Sequence, residues 1–279
     1  FDLPDKAYTK SWLAIGGTSR LEKIGNRYEG YLSGINARKR PFWSRAYYKP
    51  GDNIASIIDF DVRSEKIAQL APNWDIGLLV GIPHWIQITA EKILEQHNLD
   101  SLTDIWPDLT CFVSGGVDPA PYRQYIEELA GKQLIFINTY LASEGFIAFQ
   151  DSPDRDDLQL LLQNGIFYEF IPYRPDFFDE NGNIINSPPV YTIANVRPDI
   201  DYALILTTCT GAWRYHLGDI VRFTDTEKGR IKITGRTKYY LNLCTEHLTS
   251  DNMSAAISRT EVGSSRMCLS STICRQTSS

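Results

Sequence analysis

Basic residues are in deficit: 28 Lys and Arg stand against 34 Asp and Glu, for a formal net charge of −6. Binding along a phosphate backbone needs a basic footprint, so no nucleic-acid partner is expected. Arg38-Lys39-Arg40 is a local exception and reads as a solvated loop. Metal-ligating residues are also few. The four His are scattered, and the five Cys form no C-x-x-C pair, which argues against a zinc site or a disulfide framework. Cys111, Cys209 and Cys244 lie in apolar contexts and read as buried free thiols of a cytoplasmic protein. No apolar run reaches the ~18 residues of a membrane span, and no secretory signal is visible. The expectation is a cytoplasmic chain without a membrane partner.

What is present is a body-forming composition. The 279 residues are 43% hydrophobic and 12% aromatic, enough for one large or two modest cores. Ile76–Val80 reads as a strand and about Pro83–Glu95 as a helix carrying His84. Leu109–Val113 reads as a strand, about Pro119–Leu129 as a helix, and Leu134–Thr139 as a strand. That alternation predicts parallel pairing through right-handed crossovers. Beyond Gly145 the pattern becomes β-rich. Leu158–Leu162 and Ile166–Phe170 flank Asn164-Gly165, the signal of a type I′ hairpin. Glu180-Asn181-Gly182-Asn183 marks a turn, and Tyr202–Thr208 a further strand. The fold class is α/β: mixed sheet layers with helices, plus a small β-rich region.

Two short stretches carry chemistry. Tyr140-Leu141-Ala142-Ser143-Glu144-Gly145 lies between two apolar runs and reads as a loop at a sheet end, where α/β proteins place ligands. Tyr can stack on a base, Ser can donate to a phosphate, and Glu can hold Mg²⁺ through phosphate oxygens. A plain polar loop between strands is the competing reading. The second stretch runs from Trp213 through Tyr215-His216-Leu217-Gly218-Asp219 into a strand at Ile220–Phe223. A turn over Thr224–Gly229, a strand at Arg230–Thr234 and Gly235-Arg236-Thr237-Lys238 follow. An ionised Asp offers about four acceptor sites, enough for both hydroxyls of a ribose. Arg236 supplies a planar fork for phosphate or carboxylate. His216 reads as a neighbour of this motif rather than a catalyst.

Taken in order, Tyr140-x-x-Ser143-Glu144-Gly145, Tyr215-x-x-Gly218-Asp219 and Gly235-Arg236-x-Lys238 resemble the adenylate-forming superfamily. More specifically the chain resembles the auxin-responsive promoter family, the acyl acid–amido synthetases, and among these the bacterial members. Supporting phrases are Pro41-Phe42-Trp43, Val80-Gly81-Ile82-Pro83-His84-Trp85, Ile105-Trp106-Pro107-Asp108-Leu109, Gly115-Gly116-Val117 with Pro121-Tyr122-Arg123, Asn164–Pro172, and Glu246-His247-Leu248 with Asp251-Asn252. The resemblance covers about residues 1–257, part of the large N-terminal domain of such enzymes, with a hinge near 235–238.

The resemblance implies ATP and Mg²⁺ as cofactors, and a small carboxylic acid and an amine such as an amino acid as substrates. Tyr140 would flank the adenine, Ser143 would approach a phosphate, and Glu144 would coordinate Mg²⁺. Asp219 would hold the ribose hydroxyls, and Arg236 would lie near the ribose or α-phosphate. Gly115 and Gly116 would admit backbone close to the adenine and acyl group. The helix opening at Pro83-His84-Trp85 would line the acyl pocket, with core packing the competing role for Trp85. Glu144 and Arg236 would be the catalytic pair.

Two departures temper this. The family's Ser/Thr/Gly-rich phosphate loop has no counterpart near the start; Gly16-Gly17-Thr18-Ser19 lacks its pattern, and the chain opens at Phe1 without Met. Beyond Ile257 the likeness stops, and residues 258–279, rich in Ser, Thr and Arg, have neither helical nor strand period. They read as an unstructured tail or the product of a reading-frame change. On this reading the chain is a fragment, inactive alone, of an acyl acid–amido synthetase. A CoA ligase of the same superfamily and a non-catalytic remnant stay open.

Overall fold

The computed structural model describes residues 3–237, and beyond them the backbone of two short strands, Leu241–Leu243 and Glu246–Leu248. Lys238 of the expected hinge, Asp251-Asn252 and the segment 258–279 lie outside the described residues.

In chain order the strands are β1 (Ser11–Ile15), β2 (Glu22–Ile24), β3 (Arg27–Glu29), β4 (Tyr48–Lys49), β5 (Ile76–Gly81), β6 (Cys111–Gly115), β7 (Ile135–Ala142) and β8 (Gly145–Phe149). They continue as β9 (Leu158–Leu160), β10 (Ile166–Pro172), β11 (Asp201–Thr208), β12 (Tyr215–Asp225), β13 (Arg230–Arg236), β14 (Leu241–Leu243) and β15 (Glu246–Leu248). The α-helices are α1 (Leu32–Lys39), α2 (Asp52–Ala55), α3 (Phe60–Leu70), α4 (Pro83–His97) and α5 (Arg123–Ala130). Eleven strands form one sheet in the order β10-β11-β12-β13-β9-β8-β7-β6-β5-β1-β4. From β4 to β7 the pairing is parallel; from β7 to β10 it is antiparallel.

The parallel half follows from the alternation of apolar strands and helices. Pro83 occupies the first turn of α4, where its missing N–H costs nothing. Ile86, Ala90 and Ile93 then recur at helical spacing and are buried on the sheet. Asn98 ends the helix in the left-handed region at φ 51°, and the Leu99 N–H returns to the Leu94 carbonyl at 3.0 Å. Asp59 caps α3 by accepting from the Val62 N–H at 2.9 Å. Leu13, Leu79, Phe112 and Phe136 from the strands meet Ile67, Ile86 and Trp106 in this core. Each such side chain contributes about 1.5–3 kcal/mol on burial. Trp106, fully buried, gives its indole N–H to the Ala71 carbonyl at 3.1 Å, so the polar edge is satisfied.

The antiparallel half has its own core of Tyr140, Ile147, Leu160, Tyr168, Phe170, Tyr202, Leu204, Val221, Phe223 and Ile231. These side chains come from β7 through β13, so the strands curl around them. Asn164, just before β10, donates to the Phe146 carbonyl at 2.6 Å and to the Tyr168 hydroxyl at 3.1 Å, which returns the β10 edge to β8.

Three local expectations are corrected. Asn164-Gly165 does not close a hairpin: β9 pairs with β8 and β13, while β10 pairs with β11. Only Gly165 takes positive φ (79°), and the Asn164 side chain is turned to the Phe146 carbonyl. Arg38-Lys39-Arg40 is not a loop, although Arg38 and Lys39 are solvent-exposed as expected. Arg38 and Lys39 end α1, and Arg40 pairs with Asp52 at 2.7 Å while its guanidinium lies 4.2 Å from the Tyr48 ring centroid. Cys209 is exposed; Cys111 is buried, and burial pushes its thiol up to about 12. Among the described residues no helix is long and apolar enough to cross a membrane.

Candidate functional site

The hexapeptide at 140–145 is mostly strand. β7 runs on to Ala142, and only Ser143 and Glu144 form the turn into β8, with Ala142 paired to Gly145. This corrects the expected loop. The residues alternate as a strand does: Tyr140 points into the core at 6% exposure and Leu141 points out at 40%. A register shift between Tyr140 and Leu141 marks a bulge at this point of the β7–β8 ladder.

Asp219 sits within β12, opposite Arg236 of β13. It shares an inward face with Leu217, Val221 and Phe223, which pack in or against the second core. The residue is buried, and its carboxylate bridges two strands. Oδ2 accepts from the Tyr140 hydroxyl at 2.5 Å, and Oδ1 accepts from Arg236 Nε at 2.7 Å. Burial first, and then the charge of Asp219 and its hydrogen bond, push the Tyr140 phenol far above its ordinary value; it remains a donor. Of about four acceptor sites on an ionised carboxylate, these two contacts occupy two. The other two suit a diol.

Glu144 is half-buried at the turn, and its charge also raises the Tyr140 hydroxyl. Both carboxylates therefore bear on one phenol. Glu144 makes no hydrogen bond or ion pair with a described residue. Ser143 beside it is exposed. Among the described residues no group of three or more His, Cys, Asp or Glu could hold a metal alone. A single carboxylate is nevertheless a ligand set that Mg²⁺ can use, since that ion keeps waters and takes most other ligands from substrate phosphates.

Gly115 ends β6 and pairs with Thr139, the residue before Tyr140. Gly116 turns at φ +83° with nothing within 4 Å of where a side chain would start. The Thr139 hydroxyl ties the two strand ends by donating to the Ser114 carbonyl at 2.7 Å. Gly115-Gly116 thus lies at the carboxyl end of a parallel strand, where such sheets place ligands. Trp85, at the start of α4 beside the same sheet end, packs on the first core with its ring 5.6 Å from Phe60.

The fold therefore brings Tyr140, Asp219 and Arg236 into direct contact, sets Glu144 within electrostatic reach, and lays Gly115 on the neighbouring strand. The sequence reading names Thr237 and Gly182 only as parts of a basic segment and a turn; it does not foresee that Gly182 abuts Thr237, the residue after Arg236. Gly182 is recognisable as a turn residue, but nothing in its local pattern says where the turn docks.

Residues 159–236 match the family model described as the GH3 family central domain. Over 128 residues the chain is 32% identical to a probable indole-3-acetic acid-amido synthetase, GH3.6, of Oryza sativa subsp. japonica, covering 43% of this chain and 25% of that protein. Over 245 residues it is 25% identical to the indole-3-acetic acid-amido synthetase GH3.10 of Arabidopsis thaliana, covering 84% and 40%. Its backbone superposes on the GH3.15 acyl acid amido synthetase solved with 2,4-DB, with a TM-score of 0.69 at 17% identity, over 92% of this chain and 53% of that one. The resemblance to the acyl acid–amido synthetases and the α/β fold class are thereby borne out. The chain spans about a quarter to two fifths of the length of these curated relatives.

Proposed function

We propose, with that family resemblance as premise, that this chain carries the nucleotide-binding wall of an ATP-dependent acyl acid–amido synthetase. The observation that supports this reading most is the Asp219 carboxylate, fixed by Tyr140 and Arg236 on one side and left with acceptor capacity on the other. A ribose diol fills that capacity. Arg236, with half its side chain exposed, would lie near the ribose or α-phosphate. Tyr140 flanks the adenine, and Gly115-Gly116 allows close approach of base and acyl group. Ser143 donates to phosphate.

The reaction runs in two steps. A carboxylate oxygen of the acid attacks the α-phosphorus of ATP, and pyrophosphate leaves with the bonding pair. An amine nitrogen, proposed as that of an amino acid, then attacks the acyl carbon; AMP leaves and the nitrogen loses its proton. In the first step the protein must align two anions and offset the charge that develops between them. Arg236 supplies fixed positive charge there. Glu144 would hold Mg²⁺, which when bound would neutralise phosphate charge. A thiol acceptor, as in a CoA ligase, is the competing outcome, and product analysis of the whole protein separates amide from thioester. Exposed and buried free thiols accord with the cytoplasm.

The test on this chain is AMP binding by calorimetry. Asp219→Ala is expected to weaken binding at least about tenfold, since buried hydrogen bonds to a charged group are lost. Failure of the unaltered chain to bind AMP, or equal affinity of the variant, removes the reading.

A further inference from the structure

Gly182 stands at the tip of a short hairpin closed by the Phe178–Ile184 bridge. The tip is internally hydrogen-bonded. Asp179 Oδ1 accepts from the N–H groups of Asn181 (3.0 Å) and Asn183 (2.7 Å), and Oδ2 accepts from Asn183 Nδ2 at 2.9 Å. The Gly182 N–H donates to the Asp179 carbonyl at 2.9 Å. Phe178 anchors the base, buried among Ile171, Ala203 and Ile205 with its ring 5.0 Å from Tyr173.

This hydrogen-bonded tip abuts the residue after Arg236. A Cβ on Gly182 would lie 2.3 Å from the Thr237 carbonyl oxygen and 2.8 Å from its carbon, distances no side chain tolerates. Thr237 is wholly buried. Its N–H donates to the Gly218 carbonyl at 2.8 Å, and its hydroxyl reaches the same oxygen at 3.4 Å. Gly218 immediately precedes Asp219, and Thr237 immediately follows Arg236. The Gly182 tip, the Thr237–Gly218 bond and the Arg236–Asp219 pair therefore form one stack of contacts, and a displacement at the tip reaches the charged pair within one residue.

We propose that Gly182 is a positioning residue for the nucleotide site: by allowing the 179–183 tip to press on Thr237, it holds Arg236 in register with Asp219. The inference rests on the nucleotide reading of that pair, but its structural half does not.

Two substitutions separate the causes. Gly182 has φ +73°, so Gly182→Ala incurs both backbone strain and the collision with Thr237, while Gly182→Asn relieves much of the strain and keeps the collision. Gly165→Ala is the control, because Gly165 has φ +79° but open space around it. Both Gly182 variants are expected to weaken AMP binding at least about tenfold, the scale of a lost charge-assisted contact. Both should speed amide hydrogen exchange at Thr237, whereas Gly165→Ala should do neither. In an Arg236→Ala background, Gly182→Ala should cause no further loss of AMP affinity. Asp179→Ala, which loosens the tip without a collision, should move exchange and affinity the same way and serves if the Gly182 variants do not fold. Unchanged Thr237 exchange, rescue by Asn, or an additive loss in the double variant would overturn the proposal. Absence of AMP binding by the unaltered chain would remove the nucleotide reading instead, and Thr237 exchange would still decide whether the tip holds the strand.

Discussion

The hydroxyl of Tyr140 donates to Oδ2 of Asp219 at 2.5 Å, tying β7 to β12 across 79 residues of sequence. β7 belongs to both halves, and Tyr140 follows directly on Thr139, the last residue of its parallel pairing with β6. The Tyr140 bond fixes one oxygen of the carboxylate while Arg236 fixes the other.

Tyr140→Phe tests that relationship. The ring volume is kept, so no large cavity opens, but a buried carboxylate oxygen loses its donor. The expected cost is about 1–3 kcal/mol, the range for a buried acceptor left unsatisfied. Urea denaturation should show a lower midpoint with an unchanged slope. AMP affinity should also fall, but less than in Asp219→Ala, because Arg236 still holds the carboxylate. A variant as stable as the parent would mean that another donor takes the place of the phenol.

Glu144 should behave in the opposite way. Its side chain makes no hydrogen bond or ion pair with a described residue, so Glu144→Gln is expected to leave stability within about 0.5 kcal/mol of the parent. If its carboxylate holds Mg²⁺, the variant should lose the increase in ATP affinity that Mg²⁺ gives, by about tenfold, with AMP affinity in metal-free buffer unchanged. Calorimetric titrations with and without the metal read this directly. An intact Mg²⁺ effect would remove Glu144 as the metal ligand.

Much of this site is legible in the chain because its residues occur as ordered motifs, Tyr140 to Gly145 first, then Gly218-Asp219, then Gly235-Arg236. The parallel half is legible too, since alternating apolar strands and helices leave few ways to pair. The strand ends are harder to read. Tyr140, Leu141 and Ala142 run directly into the polar Ser143-Glu144-Gly145 and so read with it as loop, yet their in–out alternation continues β7. The Asn164-Gly165 hairpin fails for a different reason. A turn signal reports that the chain reverses, not which strand it meets, and β9 finds β8 and β13 while β10 finds β11. The approach of Gly182 to Thr237 is illegible for the same reason. It depends on tertiary docking of a turn whose own residues encode only the turn.

Acid should loosen this protein at a second set of contacts. The Arg155 guanidinium, bonded to Asp157 through Nε and a terminal nitrogen at 2.8 and 2.6 Å, holds the Asp157 carboxyl well below the usual carboxylate range. Thr224 donates to the same carboxylate at 2.7 Å, and Arg230 lies 3.4 Å from it while pairing closely with Asp151, whose carboxyl is also lowered. These contacts lock the segment before β9 onto β12 and β13. A carboxyl depressed in the folded state contributes stability that is present above its unfolded value, near 4, and is lost as pH falls toward the folded value. Stability should therefore be flat from about pH 7 to 5 and decline steadily below about pH 4. Asp157→Asn should lower the plateau, because Arg155 and Arg230 lose a charged partner, and should flatten the acid limb, because the group that takes up the proton is gone. Urea midpoints measured from about pH 7 to 2.5 distinguish the outcomes. A variant whose midpoint falls with acid as steeply as the parent's would place the titrating carboxylates elsewhere.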